Sequence, residues 1–157
     1  MTKILKIDNK TEEQFLRTKT VDFDFKKWTQ KDITELLKKM RMTMKEANGV
    51  GLSANQIGLN FRLFVAQVPD EQNRLKFYAI FNPEIIKESR EKEIIDEGCL
   101  SVPENYAPTP RAFKVVLTGF DRRGKKLKIN AWGLLARVFQ HETDHLNGKL
   151  FIDRIKK

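Results

Sequence analysis

Both histidines of the sequence lie within ten residues, in FQHETDHLNG, which runs from Phe139 to Gly148. His141 and His145 are four residues apart, and Glu142 directly follows the first. Residues at this spacing project from the same side of a helix, so two neutral imidazoles can bind one metal ion. The carboxylate can then act as a general base on water, as in the H-E-x-x-H motif of metal hydrolases. The alternative is a pair of hydrogen-bonded core histidines beside a solvated glutamate.

A catalytic metal site typically has three protein ligands and one position open to water. The sequence has no third histidine, so the third ligand must be a carboxylate or the only thiol, Cys99 in DEGCLSVP. A lone cysteine is usually a small buried hydrophobic residue. Next to two histidines, however, a thiolate would complete a tetrahedral ligand set that suits Fe(II) or Zn(II) better than Mg(II) or Ca(II).

A glycine-containing segment, GVGLSANQIGLN, occupies residues 49–60. Its two closely spaced glycines allow the backbone to approach a ligand, although a helix stop followed by a tight turn explains them equally well. Gln56 could donate an amide hydrogen bond to a carbonyl oxygen, or it could be an ordinary surface amide. The spacings of the G-x-G-x-x-G and P-loop nucleotide motifs are both absent, and no predicted strand precedes the segment.

Two helices and a run of strands must position these residues. TQKDITELLKKMRMTMKEANG has capping-box spacing at Thr29 and Asp32, an apolar stripe, and a stop at Gly49. The helical period returns from Gly133 to Asn147, and a glycine follows as a C-cap signal. Between the helices, short segments rich in β-branched and aromatic residues predict five strands, namely FRLFVAQV, KFYAIFNP, EIIDEG, KVVLTGFD and KLKINAWG. Residues 121–124 predict a hairpin turn between the last two. This order of elements predicts an α+β fold.

The apolar period of the second helix predicts that both imidazoles and the adjacent carboxylate face inward. Two neighbouring stripes form this face, namely Leu134, Val138, His141 and His145, and Leu135, Phe139, Glu142 and Leu146. A second group is predicted to lie toward the other side of the helix: Arg137, Gln140, Asp144 and Asn147.

Length and composition predict one domain spanning residues 1–157, without repeats, low-complexity tracts or an apolar run of membrane-spanning length. The N-terminal MTKILKIDNK does not resemble a secretory signal, and the single cysteine rules out an internal disulfide, so we expect a cytoplasmic location. The net charge of +9 indicates either a solvated basic surface or binding to an anionic partner such as nucleic acid.

Three segments together resemble the peptide deformylase family, which is marked by G-x-G-L-[AS]-A-x-Q, E-G-C-L-S and Q-H-E-x-D-H-L in this order. Here they stand as GVGLSANQ (49–56), EGCLS (97–101) and QHETDHL (140–146). The resemblance extends from about the first helix to the C-terminus, and the first thirty residues match only loosely. It implies a fold of antiparallel strands packed around a central HExxH helix. It also implies a hydrolase of protein biosynthesis that removes the formyl group from N-formylmethionine on newly made polypeptides.

Carried over by position, the resemblance makes Cys99, His141 and His145 the metal ligands and Glu142 the catalytic acid and base. The family's native ion is usually Fe(II), and Zn(II), Ni(II) or Co(II) can occupy the site. This assignment answers the question left open by the residues alone, because it selects the thiol as the third ligand.

The resemblance also assigns residues that contact the substrate. Gln56 and the backbone N–H of Leu100 would stabilise the substrate oxygen, and Gly51 lies in the loop that runs along the bound peptide. Specificity for methionine requires an apolar pocket, and the candidates for its wall are Val50, Ile95, Leu134 and Val138.

Two other functions fit part of the pattern. The H-E-x-x-H motif alone also fits another metallopeptidase, which would cleave internal peptide bonds instead of releasing formate. The basic composition fits a ribosome- or RNA-binding protein with a structural metal site, but such a site usually needs four protein ligands. With one cysteine and two histidines in the chain, a carboxylate would have to supply the fourth.

Two basic stretches near the C-terminus are candidates for weak docking to ribosomal RNA, namely RRGKKLK (122–128) and RIKK (154–157). Such docking would use phosphate contacts without sequence reading. The alternative is that these side chains only keep the protein soluble, and the sequence supports both interpretations equally.

Overall fold

The computed structural model describes residues 2–155 as three α-helices and seven antiparallel strands. The helices are α1 (Lys10–Leu16), α2 (Gln30–Glu46) and α3 (Gly133–Leu146). The strands are β1 (Gly51–Ser53), β2 (Leu63–Pro69), β3 (Leu75–Glu88), β4 (Lys92–Cys99), β5 (Val102–Ala112), β6 (Lys114–Phe120) and β7 (Lys126–Trp132). Short 3₁₀ turns occupy Phe25–Lys27, Ala54–Ile57 and Phe151–Arg154. No helix within the described residues is long and apolar enough to cross a membrane.

The strands form two separate sheets with α3 between them. Five strands pair in the order β1-β2-β3-β6-β7, and β4 pairs with β5 as a hairpin. Helix α3 contacts strands of both sheets, while α2 covers the opposite face of the five-stranded sheet. The predicted arrangement of antiparallel strands around a central helix is therefore confirmed.

Strand β2 is buried on both faces, which explains its nearly continuous apolar sequence. Phe64 and Ala66 pack in the cluster that contains α3 residues, and Leu63 and Val65 pack in the cluster that contains α2 residues. Alternate side chains of a strand point to opposite faces, so a sheet covered by helices on both sides needs apolar residues at every position.

Helix α2 begins as predicted but ends differently. Thr29 and Asp32 form the predicted capping box, with the Asp32 N–H donating to Thr29 Oγ1 at 3.0 Å and the Thr29 N–H donating to Asp32 Oδ2 at 3.1 Å. The residue that leaves the helix with a positive φ of 58° is Asn48, and not Gly49. Asparagine tolerates this left-handed conformation better than most residues, so it takes the capping role that glycine usually has.

Strand β5 was not predicted because prolines interrupt it. Pro108 pairs with Asp96 and Pro110 pairs with Ile94 in the ladder with β4. The two prolines are two residues apart, so their nitrogen atoms lie on the same edge of the strand, where no ladder hydrogen bond to β4 is needed. The segment EIIKESREKEIID, residues 84–96, is also mostly extended, and it forms the end of β3 and most of β4.

Helix α3 is buried more completely than its apolar stripes predicted. Arg137, Gln140 and Asp144 were expected to lie on the other side of the helix, yet each is at most 6% exposed. The β4–β5 hairpin covers this side, and its backbone and charged side chains provide hydrogen-bond partners for all three. Buried polar side chains need such partners, and the hairpin supplies them on the side of α3 that faces away from the five-stranded sheet.

Candidate active site

Three candidate metal ligands converge at one point. His145 Nε2 lies 3.2 Å from Cys99 Sγ and 3.2 Å from His141 Nε2, and the three donor atoms lie within 4.8 Å of one another. A tetrahedral ion with metal–nitrogen bonds of about 2.05 Å requires its nitrogen ligands to be about 3.3 Å apart. The donor set therefore fits a small divalent cation. Within residues 2–155 this group has three members, so it lacks the fourth protein ligand of a closed structural site.

The charge state of the cysteine also suits metal binding. Burial alone would raise the pKa of the Cys99 thiol, but the neighbouring His145 and His141 rings lower it well below its usual value. The thiolate is the form of cysteine that binds a metal. Cys99 is therefore unlike the inert buried cysteine that its isolated position in the sequence left open.

Strand β4 carries two side chains, Glu97 and Cys99, that both contact the histidines of α3. Glu97 and Cys99 are two residues apart, so their side chains emerge on the same face of the strand and both reach the histidines. Glu97 Oε1 lies 2.8 Å from His141 Nδ1. With its carboxylate as the acceptor, His141 carries a proton on Nδ1, which leaves the Nε2 lone pair free to bind a metal.

Two arginines neutralise the buried Glu97. Arg111 Nε donates to Glu97 Oε2 at 2.8 Å, and Arg137 Nη1 donates to the same oxygen at 2.6 Å. Burial would raise the pKa of Glu97, but hydrogen bonds from His141 and Arg111 lower it to about 2. The carboxylate that orients His141 is therefore ionised throughout the neutral range.

The ion pairs continue from Arg111 to the last described turn of the chain. Arg111 Nη1 donates to Asp144 Oδ2 at 2.7 Å, and Arg154 Nη2 donates to Asp144 Oδ1 at 2.7 Å. Sequence reasoning did not assign Glu97, Arg111 or Asp144 to the site. The spacing of Glu97 from Cys99 was the available signal, because alternation along a strand places both on one face.

The predicted acid and base, Glu142, is buried beside the ligands without joining them. It is 4% exposed, and its Oε2 lies 4.0 Å from His141 Nε2. Its Oε1 has no hydrogen-bond partner among the described residues. Burial raises the pKa of Glu142 above its usual value. An unpartnered buried carboxylate oxygen is costly for stability, and the solvated glutamate of the core-histidine alternative is not present here.

Gly51 has no side chain because Glu142 occupies that space. A Cβ atom at position 51 would lie 2.7 Å from Glu142 Oε2 and 3.0 Å from its Cδ. Strand β1 therefore runs so close to the Glu142 side chain that a Cβ atom at position 51 would have to displace the carboxylate. The steric reason for glycine is contact with Glu142, and not a positive φ or a helix stop.

Gln56 is a buried amide whose orientation is determined by its neighbours. It is 2% exposed, so the surface-amide interpretation was wrong. The Ser53 N–H can only donate, and it lies 3.0 Å from Gln56 Oε1, which places the amide nitrogen on the opposite side. This Nε2 donates to Ser101 Oγ at 3.1 Å and lies 3.8 Å from Cys99 Sγ. Ser101, which was not predicted, thus holds the amide beside the ligands.

One cleft of about 420 Å³ contains nearly all the predicted residues. Its lining includes Gly51, Gln56, Cys99, Leu100, His141 and Glu142, and the four predicted pocket residues Val50, Ile95, Leu134 and Val138. Val138 is buried, whereas the other three pocket residues are about half exposed and surround the mouth. His145 lies beneath the cleft surface and is 1% exposed. The lining also includes Tyr106, which the sequence did not indicate.

Comparison with known proteins agrees with this geometry. The family model of polypeptide deformylase matches residues 1–157. A peptide deformylase from Halothermothrix orenii is 46% identical over 132 residues, which cover 80% of this chain and 83% of the relative.

Solved structures of similar fold are also peptide deformylases. The enzyme from Thermotoga maritima has a TM-score of 0.87 and 34% identity, over 100% of this chain and 99% of that one. A class I type b peptide deformylase from Acinetobacter baumannii, with Met-Ala-Ser bound, has a TM-score of 0.88 and 29% identity, over 99% and 100% of the two chains. From the match over its whole length and from these relatives, the chain belongs to the peptide deformylases, metallohydrolases that remove the formyl group from the N-terminus of polypeptides.

Proposed function

We propose that this chain, as one catalytic domain of residues 1–157, deformylates N-formylmethionyl peptides with a metal held by Cys99, His141 and His145. The observation that carries this proposal is the convergence of the three donor atoms beside a buried carboxylate with a free oxygen. A divalent ion in this position would supply Lewis-acid activation of a water molecule and of the formyl oxygen.

Glu142 transfers the proton in this mechanism. Its carboxylate accepts a proton from the attacking water and returns it to the amine that leaves as the formyl C–N bond breaks. The products are formate and a free α-amino group. Burial supports this double role, because a raised pKa brings the carboxyl group closer to the pH at which it both accepts and donates.

Two donors stabilise the negative charge that develops on the formyl oxygen. Gln56 supplies an amide N–H of its Nε2, whose orientation is determined by Ser53 and Ser101, and Leu100 supplies its backbone N–H. Donors fixed before the reaction are effective because no reorganisation is needed as the charge forms.

The cleft accounts for substrate choice. Val50, Ile95, Leu134 and Val138 provide an apolar wall for the methionine side chain. The formyl carbon carries only hydrogen, so a tight site beside Glu142 and the three candidate metal ligands would admit it and exclude larger acyl groups. The edge of β1, which pairs with β2 on its other side, lies along the cleft and can accompany an extended peptide.

Fe(II) is the native metal in this proposal, with Zn(II), Ni(II) or Co(II) as possible substitutes. One thiolate and two imidazoles form a ligand set for borderline metals, and not for Mg(II) or Ca(II). A reducing compartment would keep the Cys99 thiol available as a ligand, which supports a cytoplasmic location, where nascent chains are made.

The basic turn between β6 and β7 supports weak docking to the ribosome. The Gln30 side-chain amide donates to the carbonyl oxygen of Arg122, and the Arg122 guanidinium group donates to the Thr34 hydroxyl group. These bonds to α2 place the turn close to a segment that carries three more lysines, Lys26, Lys27 and Lys31. The other predicted stretch contributes less, because Arg154 is paired with Asp144 and residues 156–157 lie outside the described part of the chain.

Replacing Glu142 tests the assigned chemistry. Glu142→Gln keeps the shape of the side chain but cannot accept a proton, so kcat for formate release from a formyl-Met peptide should fall by about 10²–10⁴. Metal content, measured on the same anaerobically purified samples, should remain stoichiometric. Glu71→Gln, which alters an exposed carboxylate in the β2–β3 turn, is the matched control. Loss of metal from folded Glu142→Gln would contradict its role, and cleavage of internal peptide bonds by the wild type would favour the metallopeptidase.

Gly51→Ala should act through Glu142. The added methyl group must displace the carboxylate, and a shift of about 1 Å can reduce turnover by about 10². In the Glu142→Gln background the same substitution should have a much smaller effect, because the group that it displaces no longer transfers protons. Additive losses of kcat in the double variant would show that Gly51 acts elsewhere.

Gln56→Glu should lower kcat by about 10²–10³, the usual cost of removing one oxyanion donor. The glutamate keeps an acceptor for the Ser53 N–H but presents oxygen in place of Nε2. Gln72→Glu, in the exposed β2–β3 turn, is the control for the added charge. A kcat equal to that of the wild type would remove Gln56 from the mechanism.

Salt-dependent co-sedimentation tests the docking of the basic turn. The affinity for ribosomes should fall steeply as the salt concentration rises. Replacing Lys125 and Lys126 by Ala should reduce the slope of log affinity against log salt concentration by about 2, which corresponds to the loss of two phosphate contacts. Turnover of a short formyl-Met peptide should not change. Replacing Lys87 and Lys92, two exposed lysines elsewhere, is the control of equal charge. If both double variants and the wild type pellet with ribosomes to the same extent, the docking proposal is wrong and these lysines only keep the protein soluble.

A further inference from the structure

A short N-terminal segment, residues 4–7, connects the two parts of the chain that carry the proposed oxyanion donors. The Leu5 N–H donates to the carbonyl oxygen of Gln56 at 2.7 Å, and the Ile7 N–H donates to the carbonyl oxygen of Ser101 at 3.0 Å. One short piece of backbone thus bonds to the residue that supplies the Gln56 amide and to the residue next to Leu100. We infer that this bridging segment positions the two oxyanion donors relative to each other, with Leu5 and Ile7 as positioning residues.

The side chains of the bridging segment reinforce its backbone bonds. Ile4 packs in the same apolar cluster as Leu100, and Ile7 packs in the same cluster as Cys99. Apolar packing therefore accompanies the backbone bonds near Cys99, at the end of β4, and near Leu100, which follows it. Just before the segment, Lys3 Nζ forms an ion pair of 3.1 Å with Glu12 Oε1 of α1.

The bridge matters because the other link between the two donor segments uses the reacting amide itself. Within residues 2–155, the direct hydrogen bonds between them run from Gln56 Nε2 to Ser101 Oγ and to Cys99 Sγ. The same amide must also donate to the substrate oxygen, so its bonds cannot serve only to link the two segments. The bonds from Leu5 and Ile7 use backbone groups that the reaction does not need, so they hold the two segments together independently of the amide.

The size of the effect follows from the tolerance of such sites. Oxyanion donors must remain within hydrogen-bond distance of the position that the charged oxygen occupies, and displacements of about 1 Å are enough to reduce turnover strongly. Loss of one bridging bond permits a smaller shift than that. The inference rests on the proposed roles of Gln56 and Leu100.

Backbone ester substitution tests the bridge with every side chain retained. Replacing Leu5 or Ile7 by the corresponding α-hydroxy acid deletes one N–H. We expect each ester to lower kcat for a formyl-Met peptide by about 10-fold, with KM and metal content within about 2-fold of the wild type. An ester at exposed Lys6 is the control within the segment. An ester at Ser89, whose N–H donates to Lys114 O at 2.9 Å, is the control for loss of a similar bond elsewhere.

Three outcomes would overturn the inference: an unchanged kcat in both esters, an equal fall in the Ser89 ester, or a fall that follows loss of metal. The Leu5 ester in the Gln56→Glu background separates positioning from general destabilisation. There it should cost little further kcat, because the donor that it positions has been removed, whereas a purely structural role predicts the same 10-fold loss. If Gln56→Glu itself leaves kcat unchanged, the proposed oxyanion role fails. If only the esters are silent, the bridge alone fails.

Discussion

The hydrogen bond between His141 Nδ1 and Glu97 is the interaction on which most of this structure depends. It sets the tautomer that leaves Nε2 available, but it requires an ionised carboxylate in a site from which water is nearly excluded. An isolated buried charge of this kind would be very costly. Arg111 and Arg137 offset that cost from two different elements, a strand and a helix, and so join the β4–β5 hairpin to α3.

Each compensating charge needs its own partner, which explains how far the network extends. Arg111 also pairs with Asp144, and Asp144 pairs with Arg154 at the partly exposed end of the chain. The ion pairs end only where solvent can stabilise the last charge. Removing one partner in the interior would leave another buried charge unpaired, so this network constrains the hairpin, the helix and the last turn together.

The sequence predicted the local parts of the site well. The spacing of His141 and His145 follows directly from the helical repeat, and in the structure Cys99 Sγ lies close to both rings as a third candidate ligand. Glu97, Ser101 and the N-terminal segment were missed because their roles depend on contacts between distant parts of the chain. Strand β5 was missed for a related reason. Pro108 and Pro110 fit a strand only when their nitrogen atoms face away from the partner strand, and this cannot be judged before the pairing is known.

The N-terminal segment shows why a functional contact can leave little trace in a sequence. Leu5 and Ile7 contribute backbone N–H groups, which every residue except proline possesses. Their positions therefore restrict the sequence only by excluding proline and by favouring apolar side chains where Ile4 and Ile7 are packed. A backbone contact of the kind that we infer here would therefore be invisible to a search for residue types.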